Sequence, residues 1–249
     1  MALGSLAPVL DRTRPGRRER LDTVRIWVAA IAIAVAGVCY SSWVLEHVWA
    51  GGLDPMRSFL SELDAAGRPH REVYVVGDVV TACSAILAMF LLMLPRPLVR
   101  GFPAVTAVVA FGCFGASTLA DALMPIECVP GIDANCPWQP SGMFPQLHHV
   151  HALTSSLAVI SLFVTMIAAT VTVFRSDRWP VLRVAGTAVL VVIIGATAWM
   201  MIADNLVGDY RLGLAQRIQV GGMSMWMLIW AAAVAVWARA SGRSRPASK

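Results

Sequence analysis

The sequence predicts an all-α membrane protein in which six transmembrane helices form one bundle. Three observations support this fold class. Hydrophobic residues make up 57% of the 249 residues, and charged residues make up only 14%. The mean hydropathy of +0.67 is far above that of a soluble domain. The apolar residues also fall into six separate stretches of similar length.

Each of these stretches is close to the roughly 20 residues that cross a hydrocarbon core of about 30 Å. Backbone groups in lipid must find their hydrogen bonds inside the segment, and apolar runs without period-2 alternation achieve this only as helices. The predicted spans lie near 24–45, 73–95, 102–124, 149–174, 181–203 and 215–238.

The two ends of the chain differ in composition from the spans. Residues 1–21 are rich in arginine and proline and lack apolar periodicity, so we expect a disordered basic cytoplasmic tail. A signal peptide is a poor alternative, because the apolar stretch that follows is too long for its hydrophobic region and no small-residue cleavage site comes after it. The six-helix domain is expected over 22–239, and a second cytoplasmic tail over 240–249.

Charge placement predicts the orientation. With both termini inside, 15 of the 20 basic residues lie on the cytoplasmic side, and 11 of the 15 acidic residues lie outside or in the outer half of a helix. The sequence therefore predicts an N-in, C-in, multi-pass protein of the plasma membrane. The same sorting accounts for the basic pI of about 9.3, so nucleic acid is excluded as a partner.

Two cysteines lie in the third connection, on the predicted outer side. Cys128 and Cys136 are eight residues apart in a Pro- and Gly-rich loop, where an oxidising environment favours a disulfide. The alternatives are two unpaired thiols or a metal site, although this spacing is not that of a zinc knuckle. Cys39, Cys83 and Cys113 fall inside predicted helices, where we expect them to serve as small packing residues.

The first outer connection, residues 46–72, is long enough to hold structure of its own. Asp54 followed by Pro55 is a helix-start signal, and Phe59, Leu60 and Leu63 form an apolar stripe behind it. These residues predict a short amphipathic helix on the outer interface.

Acidic residues inside predicted spans are the first candidates for a functional site. Asp78, Asp121 and Asp204 all lie near the outer ends of helices, where a charge needs a partner or a wet cavity. Arg217, its neighbour Gln216, and the hydroxyl groups of 154–156 are candidate partners. At about 1.5 Å per residue, these groups and His151 lie within roughly 10 Å of the outer interface. We therefore expect one outward-facing pocket, unless Asp121 and Asp204 simply reach headgroups or water.

Three histidines open the fourth span. His148 and His151 share one face of a helix, whereas His149 points about 100° away from His148. This spacing is compatible with a metal site, with a proton relay, or with a solvated helix start.

Four motifs in this order resemble a family of prokaryotic membrane proteins, domain of unknown function 998. They are Ser58-Phe-Leu-Ser-Glu-Leu, Asp121-Ala-Leu-Met-Pro, His148-His-Val-His-Ala and Gly213-Leu-Ala-Gln-Arg. The resemblance covers residues 25–238 and implies a six-helix membrane protein, without an established activity.

The residue chemistry is also similar to that of the membrane hydrolases that include alkaline ceramidases and adiponectin receptors. In that group one Asp and three His residues surround a zinc ion. The resemblance implies zinc ligation by Asp121, His148 and His151, with Ser61 or Ser155 as an oxyanion donor. That group has seven helices, however, and its histidines lie on separate helices.

Three classes of function fit the sequence. The first is an enzyme that acts on a lipid or another amphiphile, by zinc-assisted hydrolysis or by metal-free carboxylate and histidine chemistry such as isoprenoid isomerisation or cyclisation. For this class the candidate catalytic residues are Asp78, Asp121, His148, His151, Asp204 and Arg217. The second is a non-catalytic membrane protein that binds a partner. The third, a solute or proton-coupled transporter, is disfavoured because the inner half of the bundle carries few charges.

Overall fold

The computed structural model confirms the all-α fold and the six apolar helices long enough to cross a membrane. It describes residues 16–49, 51–129, 132–134, 136, 146–176 and 179–242, with no side-chain placement for 146–149. No strand occurs within these ranges. The helices are α1 (Arg17–Cys39), α2 (Arg71–Met93), α3 (Phe102–Leu123), α4 (Gln146–Phe174), α5 (Thr187–Ala203) and α6 (Leu212–Gly242). The side of the membrane that each end faces stays a prediction.

Helix α1 begins at Arg17, inside the stretch that the sequence assigned to a disordered tail. Glu19 stabilises this start, because its carboxylate accepts a hydrogen bond from the main-chain N–H of Gly16 at 3.3 Å and lies in the favourable field of the first turn. The α-helix ends at Cys39, and the chain continues as a 3-10 helix over Ser42–His47. Residues 1–15 lie outside the described residues.

The helices pack in the spatial order α4, α3, α2, α1, α6, α5. Helix α5 packs chiefly on α6, and it meets α4 mainly through a π-helical turn, Leu182–Gly186, that precedes it. It therefore lies at the edge of the arrangement, while the other five helices enclose the interior.

Glycines bring α2 close to both of its neighbours. A Cβ added to Gly77 would lie 2.6 Å from the hydroxyl of Ser42, and one added to Gly115 on α3 would lie 2.7 Å from the main-chain oxygen of Ala82. Small residues at such crossings are typical of membrane helix pairs. The approach at Gly77 matters for the site, because Asp78 is the next residue.

Buried aromatic and sulfur side chains fill the middle of the bundle. The largest fully buried side chains include Phe111, Phe114, Met223 and Trp226. By contrast, Val, Ile and Leu side chains cover the outward faces of several helices, as on α1 at Val28, Ile31, Val35 and Val38. Such apolar faces would be unfavourable in water, but they suit a bilayer.

The first long connection has a turn and a short 3-10 helix where the sequence predicted an amphipathic helix, and its position on the outer interface stays a prediction. The chain turns at Asp54, whose main-chain oxygen accepts from the N–H of Ser58 at 2.8 Å, and then forms a single 3-10 turn at Leu60–Glu62. This segment packs on the start of α6, where a Cβ added to Gly213 would lie 2.5 Å from the main-chain oxygen of Ser58. Two of the motifs identified in the sequence are therefore in contact.

The disulfide between Cys128 and Cys136 is confirmed. The other three cysteines are free: Cys39 is partly buried, whereas Cys83 and Cys113 lie on exposed helix faces. The prediction that all three serve as packing residues is therefore wrong for the latter two, because they lie on the outward sides of α2 and α3.

Candidate functional site

A cavity of about 110 Å³ lies at the end of the bundle that carries the α1–α2, α3–α4 and α5–α6 connections, here named the long-loop end. Helices α2, α3, α4 and α6 and the segment that directly follows α1 contribute to its walls, and the first connection closes part of it. We call it the polar cavity, because most of the residues that line it are polar. These polar residues are Tyr40, Ser42, Trp43, Ser61, Asp64, Tyr74, Asp78, Thr118, Asp121, His151, Ser155, Gln216 and Gln219.

Asp121, at the end of α3, is the centre of a hydrogen-bond network with α4. Its Oδ1 accepts from the hydroxyl of Thr154 at 2.5 Å. The hydroxyl of Ser155 lies 2.9 Å from both carboxylate oxygens. The Nδ1 atom of His151 lies 3.2 Å from Oδ1. The sequence predicted that Asp121, His151 and this hydroxyl stretch would converge, and the structure brings them together.

The surroundings of His151 indicate which ring nitrogen carries the proton. Nδ1 lies 3.2 Å from the carboxylate of Asp121 and 3.2 Å from the main-chain oxygen of Met124, and both of these atoms are acceptors. Nδ1 is therefore the protonated nitrogen in the neutral ring, by the logic of its hydrogen bonds. The lone pair is then on Nε2, which lies 3.3 Å from the hydroxyl oxygen of Ser155.

Helical geometry explains why these three side chains meet. His151 and Ser155 are four residues apart on α4, so they are neighbours on one helix face. Asp121 lies in the last turn of α3, and α3 and α4 pack against each other. His151 is buried, with 7% of its side chain exposed, and Asp121 is 22% exposed toward the cavity. The group is thus shielded, but it can be reached from the cavity.

Two further carboxylates line the polar cavity without comparable partners. Among the described residues, no hydrogen bond or ion pair involves the side chain of Asp78. Asp64, in the first connection, is 94% buried, and its Oδ1 has no hydrogen-bond partner. Trp43 Nε1 and Thr118 Oγ1, which also line the cavity, are buried without a partner as well. Buried polar atoms are normally satisfied, so these groups mark a place prepared for a polar ligand or water.

Burial raises the pKa of Asp64 to about 6, and Asp121 acts in the same direction, whereas His151 and Arg71 lower it. An acid with a raised folded-state pKa stabilises the fold fully below its unfolded pKa, and this contribution is lost as the pH rises to the folded value. We expect Asp64→Asn to raise the unfolding temperature relative to the wild type at pH 8 but not at pH 4. At pH 8 the free energy of unfolding of the variant should exceed that of the wild type by a few kcal/mol, and tryptophan-monitored melting in detergent measures the change. An equal difference at both pH values would contradict this prediction.

Arg217 forms a buried ion pair with Glu46 and does not line the polar cavity. Its guanidinium donates two hydrogen bonds of 2.6 Å to the carboxylate of Glu46, and a third of 2.7 Å to the main-chain oxygen of Ser58. Both side chains are almost fully buried, at 6% and 5% exposure. Its neighbour Gln216 lines the cavity but accepts from the N–H of Leu60 at 2.6 Å. The structure therefore does not make either residue the partner of Asp78.

Other candidate residues also lie away from the cavity. Asp204 is exposed at the end of α5, and α5 lies at the edge of the bundle. His47 is mostly exposed beside Glu46, and His70 stacks on Trp49. The structure thus brings Asp78, Asp121 and His151 together, but not Asp204. The side chains of His148 and His149 lie outside the described residues.

The zinc site predicted from Asp121, His148 and His151 stays a prediction. Within the part of the chain that the structure describes, no three His, Cys, Asp or Glu side chains are grouped so as to hold a metal ion. Asp121 and His151 point at each other, at 3.2 Å. The Nε2 atom of His151 is the ring nitrogen left for a further interaction.

Sequence reasoning missed Asp64, Thr118 and Gln219 as cavity residues. Asp64 directly follows the Ser58–Leu63 motif, so its position beside that motif was the available signal. Gln219 is buried and donates to the hydroxyl of Thr197 on α5 at 2.7 Å. An amide about two turns into an apolar span is costly in the same way as Asp78, so the same argument could have identified Gln219 from the sequence.

Comparison with known proteins identifies the family. The model of the family described as "Protein of unknown function (DUF998)" matches residues 33–233, which is most of the chain. The chain belongs to this family, as the four sequence motifs predicted. No curated protein and no solved structure matches it significantly.

Proposed function

We propose that this integral membrane protein is an enzyme of the plasma membrane that cleaves an ester bond in a lipid or another amphiphile. Ser155 would be the nucleophile and His151 the general base. Asp121 would orient the imidazole of His151 and stabilise the positive charge that it gains when it takes the proton. The observation that carries the proposal is the continuous contact from Ser155 Oγ to His151 Nε2 at 3.3 Å and from His151 Nδ1 to Asp121 at 3.2 Å. A hydroxyl, an imidazole and a carboxylate in this order form an activated nucleophile.

The proposed reaction has two steps. In the first, Ser155 Oγ attacks the ester carbonyl carbon while its proton moves to His151 Nε2. The bond from that carbon to the leaving oxygen breaks, and the leaving oxygen takes the proton from Nε2. In the second, water attacks the acyl group and gives one proton to Nε2. The acyl–Oγ bond breaks, and the proton returns to Ser155, which restores the enzyme.

The direct contact between Ser155 and Asp121 gives the resting state a distinct arrangement. The hydroxyl lies 2.9 Å from both carboxylate oxygens and 3.3 Å from His151 Nε2, so its hydrogen points to the carboxylate at rest. Attack therefore requires a small rotation of the hydroxyl toward Nε2. Cavity residues that can donate to the developing oxyanion are Thr118, Ser61 and Trp43, whose Nε1 has no partner.

The position of the cavity supports an amphiphilic substrate. The cluster lies near the helix ends, where a bilayer changes from headgroups to hydrocarbon. Apolar residues share the lining with the polar ones: Leu60, Leu63, Ala158, Val159 and Val220. A substrate with a polar ester region and an apolar tail matches this mixture of polar and apolar walls.

Ester hydrolysis by protein reconstituted in lipid nanodiscs tests the proposal, with p-nitrophenyl octanoate as the probe. We expect Ser155→Ala to lower the rate by at least about a thousandfold, because it removes the nucleophile. Ser156→Ala is the matched control, since Ser156 is the next residue on α4 and is exposed. Equal rates for the wild type and Ser155→Ala would contradict the proposal.

A further inference from the structure

The charge on the walls of the polar cavity points to the kind of group that it accepts. Three carboxylates line it, those of Asp64, Asp78 and Asp121, whereas no lysine or arginine is among its lining residues, all of which are described. Asp121 is satisfied by Thr154, Ser155 and His151. Asp64 and Asp78 are not neutralised in this way.

The arginines nearest to this end of the bundle are bound elsewhere. Arg217 pairs with Glu46, and Arg68 pairs with Asp133 at 2.9 Å. Arg71 donates to the main-chain oxygen of Asp64 at 3.1 Å and does not line the cavity. None of these three arginines forms an ion pair with the carboxylate of Asp64 or Asp78, although the charge of Arg71 lowers the pKa of Asp64 from a distance.

A carboxylate without a partner is costly when it is buried, as that of Asp64 is, or partly buried, as that of Asp78 is, so something from outside must compensate the two charges. The Oδ1 atom of Asp64, a residue that is 94% buried, has no hydrogen-bond partner. This is independent evidence that the cavity holds an acceptor without a donor. An ammonium group supplies both the positive charge and the N–H donors. Protonation of the carboxylates is the other way to neutralise them.

Aromatic side chains in the same lining favour the ammonium group over the proton. Tyr40, Trp43 and Tyr74 line the cavity together with Asp78. Aromatic rings beside carboxylates attract alkylammonium groups through their negative faces. A volume of about 110 Å³ is several times the roughly 30 Å³ that one water occupies, so it admits a small headgroup.

We propose that the polar cavity binds the ammonium group of a cationic amphiphile, with Asp64 and Asp78 as its counter-ions. This inference assigns a substrate class to the proposed enzyme, and its statement that the ligand carries an ester bond rests on the proposed function. Binding of the ammonium group itself, however, does not require turnover. Selectivity then follows from charge, because an anionic headgroup would meet two unpaired carboxylates.

Three probes of equal chain length and different charge test the inference: decylammonium, decanoate and decanol. Their binding to wild-type protein in nanodiscs is measured by titration calorimetry, with empty nanodiscs subtracted to remove partitioning into lipid. We expect saturable binding of decylammonium, with a Kd at least tenfold lower than that of either other probe. Comparable binding of all three probes would overturn the inference, because protonated carboxylates would then neutralise the site.

Variants at the two carboxylates separate a counter-ion role from a structural one. We expect Asp78→Asn and Asp64→Asn each to raise the Kd of decylammonium at least tenfold, while both proteins remain folded by their melting curves. Glu72→Gln is the matched control, because Glu72 lies on α2 with Asp78 but is exposed and does not line the cavity. Unchanged affinity in both aspartate variants would contradict the inference.

The two proposals fail in different ways. If decylammonium does not bind but Ser155→Ala still abolishes ester hydrolysis, the proposed enzyme stands without its ammonium specificity. If decylammonium binds and Ser155→Ala hydrolyses the ester as fast as the wild type, the binding site stands and the catalytic proposal fails. Ser155→Ala should retain decylammonium binding within about threefold, since Asp64 and Asp78 are untouched.

Discussion

Replacing Asp121 by asparagine is expected to lower ester hydrolysis by about three to four orders of magnitude. The carboxylate holds the proton on His151 Nδ1, at 3.2 Å, and thereby leaves the lone pair on Nε2 beside Ser155. An asparagine amide can donate to Nδ1, which would move the ring proton to Nε2 and remove the base. In hydrolases with a Ser, His and Asp arrangement, this substitution costs about 10⁴ in kcat for the same reason.

Asp204→Asn is the control for this prediction. Asp204 has the same side chain and lies at the same long-loop end, but it is exposed at the end of α5 and does not line the cavity. Its substitution should change the rate by less than about twofold. Similar losses in both variants would mean that the effect comes from surface charge and would contradict the assigned role of Asp121.

Replacing Arg217 by methionine is expected to destabilise the fold by about 3 to 5 kcal/mol. The substitution leaves the Glu46 carboxylate, 5% exposed, buried without its cation, and the loss of one partner of a buried pair costs this much. The main-chain oxygens of Ser58 and Gly213 would also lose the hydrogen bonds that the guanidinium donates to them. The free energy of unfolding can be measured by denaturant titration in detergent micelles.

Arg57→Met provides the comparison for the buried pair. Arg57 pairs with Asp209 at 2.7 Å, but these side chains are 69% and 48% exposed, and exposed pairs contribute little to stability, so this variant should lose much less than Arg217→Met. We also expect the double variant Glu46→Gln/Arg217→Met to be more stable than Arg217→Met alone, because no charge is then left unpaired. An Arg217→Met variant as stable as the wild type would contradict the prediction, because the pair of Arg217 and Glu46 would then be dispensable.

Much of the fold follows from composition and local pattern alone. Long apolar runs must be helices in lipid, whatever their neighbours, so the six spans and their approximate bounds were predictable. The disulfide was predictable because Cys128 and Cys136 are close in sequence within one loop. The exact ends of the helices were less predictable. Helix α1 extends back to Arg17, because a capped, charged first turn can be helical without being apolar.

The candidate site could be predicted only where local geometry determines it. His151 and Ser155 share a helix face by spacing, and Asp121 lies in the last turn of the preceding span. Depth alone also suggested Asp204 and Arg217, but depth does not specify which helices are neighbours. Asp204 does not line the cavity because α5 lies at the edge of the bundle, and Arg217 forms an ion pair with Glu46.

Asp64 shows what a sequence pattern cannot supply. It lies in a loop where an acidic residue is ordinary, but it is buried where that loop packs on the third connection, in which Ile126 and Val129 cluster with Ala65. There the N–H of Ala66 donates to the main-chain oxygen of Ile126 at 2.9 Å, although the two residues are far apart in sequence. Long-range contacts of this kind are set by tertiary structure, which a single sequence does not reveal.

The most direct test of the account is peptide mass spectrometry after treatment of the folded protein with a fluorophosphonate probe. Ser155 activated by His151 should attack the phosphorus, displace fluoride and carry a stable phosphonate adduct, which Ser155→Ala and Asp121→Asn should lack. Ser156, the neighbouring hydroxyl, should remain unmodified. No adduct on Ser155, under conditions in which the probe labels a known serine hydrolase, would contradict the claim that Ser155, His151 and Asp121 form an activated nucleophile.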